Sequence, residues 1–144
     1  MNLYEYGFYK IDDDEFYDYG TQDIIFKQDG KPTKDIFDTS TLGGYSAYDE
    51  YMDDDKYIIM STPREYFEHA AKGFGVPYNT LINKIKNDEE DLEFLRKVIF
   101  KAKKKFPMPY ISKSNGSKQE GLHRLYIAAE LFGWDEKFPV LLLP

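Results

Sequence analysis

Gln119-Glu120-Gly121-Leu122-His123-Arg124 leads directly into an apolar-periodic segment that ends at Phe132. The segment predicts a helix, and this helix carries His123 and Arg124 in its first turn. Cationic side chains are disfavoured at a helix N-terminus by roughly 0.3–1 kcal/mol each, whereas the backbone N–H groups there attract anions. Because a bound anion would remove this conflict, the stretch predicts a phosphate-binding turn.

The segments on either side of this turn fit the same unit. A Ser114-Asn115-Gly116-Ser117 loop precedes it, and an apolar run from Pro139 to Leu143 follows the helix. This order predicts a strand, a loop, a helix and a second strand that together cradle a phosphate. Arg124 is the first candidate ligand, because a guanidinium is always charged and makes bidentate contacts with phosphate. Ser117 is a candidate for an additional hydroxyl contact from the loop.

The C-terminal quarter of the chain resembles a known motif. The pattern reads Glu120-Gly121-x-His123-Arg124, then Ala128-Ala129, Gly133 and Phe138-Pro139-Val140. It is similar to the acidic-Gly-x-His-Arg, Ala, Gly, Pro-Val pattern of the ParB/sulfiredoxin-like family, which includes ParB N-terminal domains and ParB-like nucleases. The resemblance covers about residues 109 to 144 and extends more weakly back to residue 57.

This resemblance implies a small mixed α/β domain that binds a nucleoside triphosphate, CTP or ATP, together with Mg²⁺. The ligand-binding residues that it implies are Gly121, Leu122, His123 and Arg124. Some members of the family use the nucleotide as a switch or a phosphoryl donor, and others are described as nucleases. Phosphoryl transfer, nucleotide hydrolysis and nuclease activity are therefore the reaction classes to expect.

Two departures from the family restrict these expectations. Sulfiredoxins carry their catalytic cysteine where this chain has Leu122, and the chain contains no cysteine, so sulfinic-acid reduction by that mechanism is excluded. Partition proteins add a helix-turn-helix domain after the nucleotide domain, whereas this sequence stops at Pro144. Centromere binding is therefore not expected.

The residues of the motif also have structural interpretations that the sequence leaves open. His123 and Arg124 could cap backbone carbonyls or pair with Glu120 or Glu130. His123 titrates near neutral pH, so it could bind phosphate, transfer a proton or lie neutral against a carbonyl. Glu120 could hold Mg²⁺ beside a triphosphate and act with His123 in catalysis, or it could form an ordinary salt bridge to Lys118 or Arg124.

Charge is distributed unevenly along the chain. Of the 26 acidic and 19 basic residues, 15 acidic and 5 basic ones fall within residues 1 to 56, which also hold most of the tyrosines. Such a surface would repel nucleic acid phosphates, so strong direct DNA binding is not expected. An alternative function is therefore a non-catalytic interaction protein, of the kind that phages and mobile elements encode, whose acidic, tyrosine-rich half occupies another protein's nucleic-acid-binding groove. A plain solvated surface is the simpler interpretation.

Length and element pattern predict one α+β domain over residues 1–144, with a mixed sheet and three to four helices. The resemblance implies that residues 57–144 form a ParB/sulfiredoxin-like core, with residues 1–56 as an acidic β/loop elaboration. Thr62-Pro63-Arg64-Glu65 predicts a capping box and a helix that starts at Pro63. Two further helices are predicted to start near Tyr78 and near Asp88, and the apolar stripe of the latter is Leu92, Leu95, Val98, Ile99 and Ala102. Strands are predicted at residues 4–11, 23–27 and 57–60, with a turn at Asp29-Gly30 and a loop at Gly43-Gly44. No secretion signal or membrane-spanning run is present, so a cytoplasmic protein is expected.

Overall fold

The computed structural model describes residues 22–42 and 46–144 of the chain. This described part contains a four-stranded mixed sheet, a two-stranded parallel sheet and four α-helices, so the predicted α+β fold class is confirmed. None of the described helices has both the length and the apolarity needed to cross a bilayer. The predicted strand at residues 4–11, the acidic run at 12–19 and the loop at Gly43-Gly44 lie outside the described residues.

The α-helices follow the start signals in the sequence. Their bounds are α1 (Pro63–Phe74), α2 (Tyr78–Lys86), α3 (Glu89–Lys97) and α4 (Leu122–Phe132), and α3 continues into a π-helical segment (Val98–Ala102). Thr62 and Glu65 form the predicted capping box at the start of α1. The C-cap of α1 is Gly75, whose φ of 71° lies in the left-handed region that favours glycine.

Six strands form the two sheets, and 3₁₀ segments at Ser46–Asp53 and Asp55–Tyr57 lead into the second strand. The strands are β1 (Phe37–Leu42), β2 (Ile58–Ser61), β3 (Phe106–Met108), β4 (Tyr110–Ser112), β5 (Gln119–Glu120) and β6 (Phe138–Leu143). The larger sheet has the order β2-β6-β4-β5, in which β6 is antiparallel to β2 and parallel to β4. The strand, loop, helix and strand predicted around α4 are therefore confirmed as β4, the 113–118 loop with β5, α4 and β6.

The described part of the N-terminal elaboration packs onto the rest of the fold. β1 pairs in parallel with β3, and Lys104 and Lys105 form ion pairs with Asp23 and Asp35. The strand predicted at residues 23–27 is reduced to isolated antiparallel bridges at Asp23 and Phe26, because the chain reverses at the predicted Asp29-Gly30 turn before a ladder can form. The turn itself is confirmed.

Two apolar clusters cover the two faces of β6. Phe138 and Val140 belong to the main core, which is formed with the helices, whereas Leu141 and Leu143 belong to a smaller cluster on the other face. This alternation follows from the two-residue period of a strand. The predicted apolar stripe of the third helix lies in the main core, and all of its members are buried: Leu92, Leu95, Val98, Ile99 and Ala102.

The 113–118 loop crosses α1 with the two backbones in direct contact. A Cβ added at Gly116 would collide with the carbonyl oxygen of His69, and one added at Gly73 would collide with the backbone nitrogen of Ser117. The His69 Nε2 atom also lies 2.8 Å from the carbonyl oxygen of Ser112. These contacts fix the loop, and hence β5 and the start of α4, relative to α1.

Candidate functional site

The turn between β5 and α4 is built around Gly121, the N-cap of α4. Its φ is 148°, which L side chains rarely adopt, and a Cβ there would collide with the ring of Pro109. A glycine has no side chain with which to cap the first turn, and that turn contains no acidic residue. The glycine of the motif is therefore required by the backbone, and the first-turn N–H groups receive no acceptor from their N-cap.

Arg124 lies in this first turn, as predicted, and its side chain is completely buried. Its Nη2 atom donates a hydrogen bond of 2.8 Å to the backbone oxygen of Glu120 and lies 3.9 Å from Glu120 Oε1. The structure thus shows the contacts of the alternative in which Arg124 caps a carbonyl and pairs with Glu120. Contact of Arg124 with a phosphate stays a prediction.

Glu120 ends β5 with a side chain that is only 12% exposed. Besides Arg124, it lies near the buried Tyr66, whose hydroxyl donates a 2.6 Å hydrogen bond to the carbonyl oxygen of Tyr110. Burial raises the pKa of Tyr66 well above its usual value, so its hydroxyl stays protonated as a donor. A Mg²⁺ ion at Glu120, as the sequence predicts, would have to share this carboxylate with Arg124.

His123 is also completely buried, and its ring faces α3. The Nε2 atom lies 2.8 Å from Oδ2 of Asp88, the N-cap residue of α3. Burial lowers the pKa of His123, although Asp88 and Asp91 favour its protonated form. A neutral imidazole beside a carboxylate must donate from Nε2, because a carboxylate only accepts hydrogen bonds.

Asp88, Asp91 and His123 form a cluster that the sequence reasoning missed. Each offers one ligand atom, and these atoms all lie within 4.8 Å of one another. Asp91 is buried in the first turn of α3, whereas the side chain of Asp88 is 30% exposed. The three-residue spacing of the aspartates places them on one helix face, but their histidine is 35 residues away in the chain, so only the packing of α3 on α4 reveals the cluster.

The remaining candidates occupy different surroundings. Leu122 is buried in the main core. It could therefore contact a ligand, as the motif implies, only through its backbone N–H. The hydroxyl of Ser117 donates a 2.7 Å hydrogen bond to Oδ1 of Asn115, which also accepts from the Ser117 backbone. This turn presents Ser117 beside Gly73 of α1. A phosphate contact from Ser117 stays a prediction.

Stability should depend on pH through His123. Its pKa is lowered in the folded state, so the unfolded chain, with an imidazole pKa near 6.5, binds more protons in acid. Above about pH 6.5 this effect is absent and the free energy of unfolding is at its full value. As the pH falls from there through the lower pKa that His123 has in the folded state, the free energy of unfolding decreases. We expect His123→Gln to lose less stability than the unmodified protein between about pH 7.5 and about pH 5. Urea unfolding in buffer with EDTA measures this difference, and equal losses would contradict it.

Comparisons of the chain with protein-family models, with curated proteins and with solved structures give no match. The resemblance to ParB/sulfiredoxin-like proteins rests on the motif at residues 120–140 and stays a prediction. The geometry of the α4 start and of the neighbouring aspartates is the basis for the function proposed below.

Proposed function

We propose that the protein binds a nucleoside triphosphate, CTP or ATP, at the start of α4. The observation that carries this proposal is the first turn of α4, an 11-residue helix that begins at Leu122 after the N-cap Gly121. This first turn contains no acidic residue and carries His123 and Arg124. Backbone N–H groups of Leu122, His123 and Arg124 would hold phosphate oxygens, with support from the helix dipole and the positive charge of Arg124. Ser117 would add a hydroxyl contact.

A divalent cation is part of the proposal because of the charges beside this turn. The Asp88 carboxylate lies 2.8 Å from His123 Nε2, so phosphate bound close to His123 would be repelled unless a cation lay between them. Mg²⁺ bridges phosphate and carboxylate oxygens in many nucleotide sites. Glu120 is the residue that the sequence predicts for this ion, and Asp88, with a more exposed carboxylate, is a second candidate.

The reaction classes that such a site would serve are phosphoryl transfer, nucleotide hydrolysis and nuclease cleavage. Each depends mainly on positioned charge and an oriented nucleophile. The neutral imidazole of His123 would accept a proton, and Glu120 would orient the metal or the attacking group. We also propose that the protein acts in the cytoplasm, where these nucleotides and Mg²⁺ are present.

Calorimetric titration with CTP, ATP and GTP, with and without Mg²⁺, tests the proposal. We expect saturable binding of CTP or ATP that requires Mg²⁺. Arg124→Gln should weaken it at least about tenfold, because the phosphate loses the positive charge that supports it beside the helix N-terminus. Arg64→Gln is the matched control, since Arg64 is an exposed residue of α1 that pairs with Asp135. Absence of binding by the folded, unmodified protein would overturn the proposal.

The acidic, tyrosine-rich half of the chain supports a second candidate function. Asp53, Asp54 and Asp55 are all exposed, whereas Tyr48 and Tyr51 are half-buried and pack onto Tyr110 and Tyr57. The aromatic contacts therefore hold a run of carboxylates at the surface, where they could meet the basic groove of a DNA-binding protein. If this function is correct, the protein binds such a partner in a salt-sensitive way, and replacement of the three aspartates by asparagine abolishes the binding. Binding that is unchanged by the replacement would count against this function.

A further inference from the structure

We propose that Asp88, Asp91 and His123 bind one first-row divalent metal ion, such as Mn²⁺ or Zn²⁺, and that they do so without nucleotide. The three residues come from the starts of two helices, α3 and α4, that pack against each other. Regular helices hold ligands more rigidly than loops do. The site goes beyond the nucleotide site proposed above and can be tested separately from it.

The separations of the ligand atoms suit a single ion. Metal–ligand distances for histidine nitrogen and carboxylate oxygen are about 2.0–2.2 Å, so two ligands on adjacent positions of one ion lie roughly 3 Å apart and two on opposite positions roughly 4.2 Å apart. Asp88 Oδ2 and His123 Nε2 are 2.8 Å apart, and all three ligand atoms fall within 4.8 Å of one another. An ion can therefore be placed among them with small side-chain adjustments.

The donor set selects the kind of ion. Two carboxylates and one imidazole combine hard oxygen ligands with a nitrogen that suits Zn²⁺, Fe²⁺ and other first-row ions, whereas Mg²⁺ and Ca²⁺ prefer oxygen alone. A divalent ion also carries the charge that matches two carboxylates. The imidazole of His123 would bind the ion in its neutral form, as a metal ligand must. Water would complete the coordination at the exposed side of Asp88.

The orientation of Asp88 is a second observation in favour of this site. Aspartate at an N-cap usually accepts a hydrogen bond from the first turn of its own helix. Asp88 makes no such bond, and its carboxylate is directed across to His123 on α4. Asp91, one turn further along α3, is 7% exposed and lies in the same cluster. The two carboxylates thus converge on the imidazole, where together they can hold an ion.

Titration calorimetry of the full chain with MnCl₂, ZnCl₂ and MgCl₂, without nucleotide, tests this site. We expect one equivalent of Mn²⁺ or Zn²⁺ to bind more tightly than Mg²⁺, and Asp91→Asn or Asp88→Asn to weaken binding at least about tenfold. Glu90→Gln is the matched control: it removes the same charge from an exposed position in the first turn of α3 and should leave binding unchanged. Equal binding by Asp91→Asn and Glu90→Gln, or none by the unmodified protein, would overturn the inference.

The tautomer of His123 distinguishes metal binding from a purely structural role, because it changes only if the ring binds an ion. Without metal, Nε2 carries the proton that it donates to Asp88; on Zn²⁺ binding through Nε2 that proton leaves and Nδ1 becomes the protonated nitrogen. Nitrogen spectra of the histidine rings should therefore show the exchange for His123 and no change for His69. An unchanged His123 ring at saturating Zn²⁺ would overturn the inference even if an ion bound elsewhere. If no metal bound at this site but the nucleotide still bound, only the metal proposal would be overturned. If the metal bound but no nucleotide did, only the nucleotide proposal would be overturned.

Discussion

Replacement of Gly116 by alanine is expected to lower the free energy of unfolding by about 3 kcal/mol or more. The added Cβ would collide with the carbonyl oxygen of His69, and its next neighbours are also backbone atoms of α1. A flexible side chain could move aside, but a helix backbone cannot do so without losing its own hydrogen bonds. Urea unfolding followed by circular dichroism measures the loss.

Gly75→Ala is the matched control for this prediction. Gly75 has a φ of 71°, and nothing lies within 4 Å of the Cβ that alanine would add. Its replacement should therefore cost only the left-handed backbone strain of about 1–2 kcal/mol. Equal losses at Gly75 and Gly116 would contradict the close crossing of the 113–118 loop over α1.

Replacement of Arg124 by methionine is expected to destabilise the fold by about 3–5 kcal/mol. Arg124 is the largest completely buried side chain among the described residues, and its Nη2 atom lies 2.8 Å from the backbone oxygen of Glu120 and 3.9 Å from its carboxylate. Methionine keeps much of the volume but leaves a largely buried carboxylate without its cation. The loss should be measured by urea unfolding at neutral pH.

Arg64→Met is the corresponding change at the protein surface. Arg64 donates from Nε to Oδ1 of Asp135 at 2.8 Å, and both side chains are well exposed. Exposed ion pairs contribute about 0–1 kcal/mol, so this variant should remain close to the unmodified protein. If Arg124→Met were equally mild, the buried contacts of Arg124 would not stabilise the start of α4 as described.

Local signals in the sequence were sufficient for much of the fold. Thr62, Pro63 and Glu65 predicted the start of α1, because a capping box and a proline at the first helical position depend on adjacent residues alone. The apolar stripe from Leu92 to Ala102 predicted the buried face of α3 for the same reason. Its π-helical end was not predicted, since the extra residue in that turn leaves no local sequence signal.

The candidate site was predicted only in part. The motif correctly placed His123 and Arg124 in the first turn of α4, but the complete burial of both side chains depends on neighbours from distant parts of the chain. The contact between His123 and Asp88 exists because α3 packs on α4. Tyr48 and Tyr51, which the sequence grouped with the acidic surface, pack around the smaller apolar cluster on β6. Composition alone carries no information on such pairings.

Nuclear magnetic resonance of the backbone amides tests the central claim most directly, since it locates a bound nucleotide without any substitution. Titration with CTP and with ATP in the presence of Mg²⁺ should shift the amide signals of Gly121, Leu122, His123 and Arg124 in a saturable way, more than those of α2. Saturable shifts confined to other parts of the protein, or no shift with either nucleotide, would contradict a nucleotide site at the start of α4.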